Sequence, residues 1–121
     1  MKYDSDNQRI HRIGSVIRKE IAQIIKNDIN DPRIKDAVIT DVEISKDLKH
    51  AKIYFIIFNY KNKNQNEIES LTKAINSSKL FFKRKLSKSS NLRSVPNLRF
   101  IFDDTESKAF DLEELINKSL N

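Results

Sequence analysis

The sequence predicts an α+β fold in which a three-stranded sheet is covered by helices on one face, in the chain order α-β-β-α-α-β. Three observations predict it. Isoleucines recur at helical spacing near the N-terminus, three β-branched and aromatic runs follow further on, and a second helical pattern lies between the second and third of those runs. A chain of 121 residues suits one domain with a modest core.

Ile10, Ile13, Ile17, Ile21 and Ile24 form one stripe, flanked by Val16 and Ile25, while Arg9, Arg12, Arg18, Lys19 and Lys26 sit mostly off it. Ser5 or Asp6 is placed to cap the start of this helix. It stops before Asn30-Asp31-Pro32, because the proline ring disfavours helical backbone at the residue before it. In residues 38–44 one face reads Val38, Thr40, Val42 and Ile44 and the other Ile39, Asp41 and Glu43, as in a strand covered on one side. Residues 51–58 are apolar nearly throughout, which places them at the centre of the sheet. The polar residues 45–50 suit a tight turn, so these two strands pair as an antiparallel hairpin.

An Asn-rich polar loop over 59–66 leads into a helical pattern over 67–88, in which Ile68, Leu71, Ile75, Phe82 and Leu86 share a face. Ser77-Ser78 interrupts it. Serine hydroxyls compete for backbone hydrogen bonds and accompany bends, so this segment is either two short helices or one kinked helix. Leu80, beside Phe81 and Phe82, is expected to pack against the sheet or the preceding helix. The third strand, 98–102, turns its apolar residues inward and Arg99 outward. Leu112, Leu115 and Ile116 return to helical spacing. The expected organisation is a flexible N-terminus over 1–8, the folded domain over 9–104, and an acidic extension over 105–121 for which a helix is optional.

Composition excludes several functions. With 38% apolar and 33% charged residues, no run approaches the roughly 18 apolar residues of a membrane span. The acidic, apolar-poor N-terminus is unlike a signal peptide. No cysteine is present, which excludes disulfides, thiolate metal sites and thiol catalysis. A single glycine, Gly14, excludes Gly-rich phosphate cradles. His11 and His50 fall on the first helix and in a turn, away from any nucleophile motif, and read as surface histidines. Asp103-Asp104 have the donor type of a metal site, but a turn or cap is the simpler role. Asp31-Pro32-Arg33 reads as a helix stop with a rigid turn. The expectation is a cytoplasmic protein that is not an enzyme, with no catalytic residues, cofactor, metal or membrane contact.

Charge supplies the positive evidence. The chain carries 23 Lys and Arg against 17 Asp and Glu, a formal charge of +6. Lysine, isoleucine and asparagine are all abundant, the pattern of an AT-rich genome, so part of the lysine content reflects composition. The distribution is more informative. Residues 1–69 hold 13 basic and 11 acidic side chains, residues 70–102 hold eight basic and none acidic, and the last 19 hold six acidic and two basic. Such a basic block is the electrostatic footprint of a nucleic-acid binder, because cations that neutralise phosphates release counterions. The candidate RNA-binding residues are Lys79, Lys83, Arg84, Lys85, Lys88, Arg93 and Arg99, with Arg9 and Arg12 from the first helix. Phe81, Phe82, Phe100 and Phe102 interleave with these charges but read as core rather than as platforms for bases.

These residues also carry a resemblance. Arg9-Ile10-His11-Arg12-Ile13-Gly14, Ile17-Arg18-Lys19-Glu20-Ile21, Asp31-Pro32-Arg33-Ile34 and the run 38–54 resemble the bacterial ribosome-binding factor A family, in order and spacing. Leu92-Arg93-Ser94-Val95-Pro96-Asn97-Leu98-Arg99-Phe100 is similar to its Leu-Arg-x-x-Pro-x-Leu-x-Phe signature. The resemblance implies a single KH-like (type II) domain that acts as a ribosome assembly factor. It implies binding to the free 30S subunit and 16S rRNA, late maturation and rRNA processing, and a link to cold shock, in a monomer with no small-molecule substrate. The rival readings are a KH-like module for another RNA, or a protein–protein adaptor using the acidic tail. One departure stands out. KH domains clamp the nucleic-acid backbone with a GXXG loop, which this family usually replaces with Ala-x-Gly at a helix kink. Counted back from Leu92-Arg93, that triplet falls on Ser78-Lys79-Leu80, without the glycine. The neighbouring lysines then bear more of the expected contact.

Overall fold

In the computed structural model, which describes the backbone of residues 2–58 and 63–104 and the side chains of 7–58 and 63–104, the isoleucine stripe lies along one long helix, α1 (Lys2–Asp28). Ile17, Ile21, Ile24 and Ile25 are buried and Ile13 packs on the edge of the core. Ser5 and Asp6 lie inside α1 rather than capping it, and residues 2–8, expected to be flexible, have helical backbone. The residues 105–121 expected to form an acidic extension, and residues 59–62 of the expected polar loop, lie outside the described residues.

The helix stop after α1 holds more than a turn. Pro32 opens a short helix, α2 (Pro32–Lys35), for which its fixed φ and missing N–H are suited. Asp31 caps it, its Oδ1 accepting from the Arg33 N–H at 2.9 Å. The Arg33 guanidinium forks back onto the same carboxylate, Nε to Oδ1 at 3.1 Å and Nη2 to Oδ2 at 2.8 Å. Its Nη1 donates to Ser70 Oγ at 2.9 Å, which ties this corner to the next helix. The Arg33 hydrogen bonds hold the Asp31 carboxyl below the usual carboxylate range, and the same pairing raises Arg33.

The sheet consists of β1 (Ala37–Ile44), β2 (His50–Ile57) and β3 (Asn97–Phe102), in that spatial order. β1 and β2 are antiparallel and β2 and β3 parallel, so the apolar β2 is central as its composition predicts. The single alternation expected in β1 does not hold. The register steps from Ile39↔Phe55 to Asp41↔Tyr54, leaving Thr40 as a bulge. An extra residue inverts the phase of a strand. Ala37 and Ile39 therefore face inward before the bulge and Val42 and Ile44 after it, while Val38, expected on the covered face, is 40% exposed.

Two further helices, α3 (Gln65–Ser77) and α4 (Lys79–Ser89), pack with α1 on one face of the sheet. Asn64 caps α3, its Oδ1 accepting from the Glu67 N–H at 2.8 Å. Only Ser78 separates α3 from α4. Its φ of −93° and ψ of 7° need no glycine. Ser77 Oγ donates to Lys73 O at 2.8 Å and Ser78 Oγ to Ala74 O at 3.2 Å, so the serines themselves make the bend by bonding back to the preceding turn. Of the two arrangements open from sequence, the structure takes the pair of helices. Ile68, Leu71, Ile75, Phe82 and Leu86 are all buried, as their shared face predicts.

Phe82 meets Phe100 at 5.0 Å between ring centroids, and Phe55 meets Phe102 edge-on at 5.8 Å. These aromatics belong to the core and its margin, and among the described residues no polar side chain is buried with them. The outer edge of β3 is closed by a side chain. The Phe100 N–H donates to Asn76 Oδ1 at 2.9 Å, and Asn76 Nδ2 donates to Phe100 O at 2.9 Å and to Thr72 O at 3.0 Å. The amide thus pairs with the peptide of Phe100 as a neighbouring strand would. No helix among the described residues is long and apolar enough to cross a membrane.

Gly14 is buried where α1 crosses β1, and a Cβ there would lie 3.6 Å from Val42 O and 3.8 Å from Ile44 Cγ1, ordinary contact distances. Gly14→Ala is therefore expected to stabilise the fold by about 0.5–1 kcal/mol through helix propensity. Chemical denaturation reads this directly; a lower midpoint would mean that α1 must approach β1 more closely than these distances allow.

Candidate nucleic-acid interface

Two adjoining depressions gather most of the candidate cations. The first, of about 670 Å³, lies where the N-terminal half of α1, the β1–β2 turn and the loop before β3 meet. Arg9 and Arg12 reach it from α1, Lys49 from the turn, Lys83 from α4 and Arg93 from the loop. The turn is placed by the Asn97 N–H, which donates to Lys49 O at 2.8 Å. Lys83 Nζ donates to Asn97 Oδ1 at 3.0 Å and ties α4 to the same point. The second depression is a groove of about 500 Å³ between one face of α4 (Leu80, Lys83, Arg84, Ser87) and residues 92–95. Lys83, Arg93 and the loop wall are common to both, so the two form one surface.

Its electrostatics suit an anion. None of Arg9, Arg12, Arg84 and Arg93 has an ion-pair partner among the described residues. One acid, Asp47, lines the first depression. Ser45 Oγ donates to its Oδ1 at 2.6 Å and the Lys49 N–H at 3.0 Å, which holds its carboxyl below the usual range. That carboxylate is occupied in shaping the turn, where Leu48 takes a positive φ of 62°.

The remaining candidates stand elsewhere. Lys79 and Lys88 are exposed at the two ends of α4, outside both depressions. Lys85 lies 4.0 Å from Asp28 Oδ1 at the end of α1 and 5.6 Å from the centroid of the Phe81 ring, so it fastens α4 to α1. Arg99 is exposed on the outer face of the sheet opposite Lys52, facing away from the helices. Lys49 is the lining cation that sequence reading missed. It was visible only as part of a polar turn, and the β2–β3 register is what carries that turn to the loop.

Leu80 corrects an expectation. It is 66% exposed and packs against neither the sheet nor α3. Helical geometry gives the reason: Phe82 and Leu86 point into the core, and a residue two positions before Phe82 lies about 200° around the helix from it. Leu80→Gly would accordingly lose helix propensity and no core burial. His11 and His50 are exposed, and no group of three or more metal-ligating side chains occurs among the described residues.

The fold and the sequence are similar to those of proteins already known. A family model described as Ribosome-binding factor A matches residues 9–116. The chain is 34% identical over 115 residues to a protein named ribosome-binding factor A from Thioalkalivibrio sulfidiphilus, covering 95% of this chain and 86% of that protein. It is 37% identical over 112 residues to one of the same name from Pseudomonas fluorescens, covering 93% and 83%. The crystal structure of ribosome-binding factor A from Thermus thermophilus superposes with a TM-score of 0.65 at 18% identity, over 77% of this chain and 93% of that one. At that identity the superposition speaks for the fold, the KH-like α+β arrangement expected from sequence.

Proposed function

Since the chain belongs to the ribosome-binding factor A family, we propose that it is an assembly factor for the small ribosomal subunit. It binds the free 30S particle through 16S rRNA and assists late maturation and rRNA processing, with a part in adaptation to cold. The observation that carries this reading is the continuous basic surface on which Arg9, Arg12, Lys83, Arg84 and Arg93 converge from three separate segments. Surface charges spread by composition alone need not converge, and phosphate contacts need them to. The protein acts in the cytoplasm as a monomer and without catalysis. Its binding energy favours one arrangement of rRNA and is lost when the mature particle no longer presents that arrangement.

Sedimentation of cell extract on a gradient tests this. The chain is expected to travel with free small subunits and to be absent from assembled ribosomes. Equal occupancy of both, or none of either, would refute an assembly role, and migration with another RNA species would favour a KH-like module with a different target.

A further inference from the structure

The helices leave one face of the sheet unused. α1, α3 and α4 cover the other face and α2 packs on α3 and α1, so no described helix lies on the outer one. Two of the three large apolar side chains exposed among the described residues, Val38 and Phe58, stand on that open face. Val38 pairs across the strands with Ile56, and the Phe58 N–H donates to Asp36 O at 2.9 Å, which continues the same ladder. Tyr54, Ile56 and Phe58 are alternate residues and therefore share one side of β2. Buried Ile56 is the floor between its neighbours, and half-buried Tyr54 and Ile101 extend the apolar lane, since the register sets Asp41, Tyr54 and Ile101 in one row. Acids bank the lane on both sides, Asp41 and Glu43 on β1 and Asp103 and Asp104 just beyond β3, around a depression of about 360 Å³. At one end the row Glu43, Lys52 and Arg99 closes the lane with two cations.

Charge and dimensions identify the class of occupant. Carboxylates on both banks repel phosphates and attract lysine or arginine, while the lane between them calls for apolar side chains. Two strand spacings separate the banks by about 10 Å, the diameter of a helix. β1 and β2 have eight residues each, a run of about 26 Å that about 18 helical residues would match. We propose that the open face of the sheet docks a basic amphipathic helix of another protein, its apolar stripe along Val38, Tyr54, Phe58 and Ile101 and its cations against the acids of both banks. The recognition is that of a helix laid in a groove. Lys52 and Arg99 suit the C-terminal end of that helix, whose unpaired carbonyls carry partial negative charge. Residues 105–121 of this chain, with four acids and two bases, have the wrong net charge to fill the lane. The proposal does not rest on RNA binding, because a protein on this face leaves the basic surface free.

The test titrates the full chain with a fluorescent peptide of about 18 residues whose leucines follow helical spacing between two rows of lysine. A second peptide has the same composition in scrambled order. The ordered peptide is expected to bind about tenfold more tightly than the scrambled one, because only it can present apolar and cationic rows together. Asp41→Asn with Asp104→Asn, at two exposed side chains, should weaken the ordered peptide about fivefold and flatten its salt dependence. Phe58→Ser should weaken it by a similar factor without changing the salt dependence, with the melting temperature followed alongside. A benzophenone amino acid at position 58 then reports the occupant, and irradiation with the ordered peptide should give the peptide adduct. Equal binding of the two peptides, no binding of either, or an affinity unchanged in both variants overturns the proposal. Adducts only to a second copy, or only to residues 105–121 of the same chain, also overturn it by assigning the face to another occupant. No RNA enters this test, so its failure leaves the ribosomal reading standing, and failure to sediment with small subunits leaves this proposal standing.

Discussion

Replacing Lys83, Arg84 and Arg93 together with alanine flattens the salt dependence of small-subunit binding by about two units of log–log slope, at roughly 0.7 unit for each single-stranded phosphate left unneutralised. All three side chains line the groove beside α4, and neither Arg84 nor Arg93 has an ion-pair partner among the described residues. Their charge is therefore available to phosphates rather than committed to the fold. Lys83 also holds Asn97 at 3.0 Å, so the melting temperature of the variant must be followed alongside. The decisive comparison is a second triple variant, Lys79, Lys85 and Lys88 to alanine. It removes the same net charge from the same helix region but from outside the depressions. If the surface acts by local contact, the first variant changes the slope and the second changes it much less. Equal slopes for the two variants would mean that net charge, not the local arrangement of cations, governs binding.

Asn76→Ala is expected to lower the unfolding free energy by about 1–3 kcal/mol, the cost of leaving partly buried polar groups without partners. The Asn76 amide satisfies both the outward N–H and the outward C=O of Phe100, and β3 supplies the buried Phe100 ring against which Phe82 packs. Loosening that edge therefore reaches the centre of the core. Asn76→Asp separates the two halves of the contact. The carboxylate still accepts from the Phe100 N–H, but it has no donor for Phe100 O or Thr72 O and sets negative charge beside two carbonyls. The carboxyl pKa should rise, so this variant should lose stability as pH climbs through the shifted value and recover some on acidification, when an O–H donor returns. Denaturation midpoints at neutral and mildly acidic pH give the answer; a neutral-pH midpoint equal to wild type in both variants would show that β3 does not depend on this cap.

The legible parts of the fold are those that repeat. The α1 stripe, the shared face of α3 and α4 and the largely apolar run of β2 each rest on several residues that agree, and each lies where expected. The features that sequence does not reveal depend on one residue. A single inserted position, Thr40, inverts half of β1, and nothing in its side chain announces a bulge. Leu80 reads as core because it adjoins two phenylalanines, although helical geometry separates neighbours in sequence by about 100°. α2 is a single turn, too short for any period to show. Asn76 pairs with a residue 24 positions away, a relation set by how α3 lies along β3.

The site is legible in kind more than in shape. Of the acid-free block over 70–102, Lys83, Arg84 and Arg93 converge on one groove. The block does not tell these three from Lys85, which pairs with Asp28, or from Arg99, which β3 turns to the other side of the sheet. Nor does it place Arg9 and Arg12 beside Arg93, since that juxtaposition arises only when α1 crosses the sheet next to the loop before β3.

The central claim is that this surface, and not the outer face of the sheet, meets rRNA. The chain has no cysteine, so one introduced thiol can carry a tethered reagent that cleaves nearby RNA without interference from others. Ser94 is exposed between the two depressions, and Asp41 is exposed on the outer face. Directed cleavage of 16S rRNA in purified free small subunits, with the reagent on Ser94→Cys or on Asp41→Cys, compares the two positions within one complex. The account predicts strong, localised cuts from position 94 and weak or no cuts from position 41. Cuts from position 41 alone would place the RNA on the opposite side of the protein and contradict it.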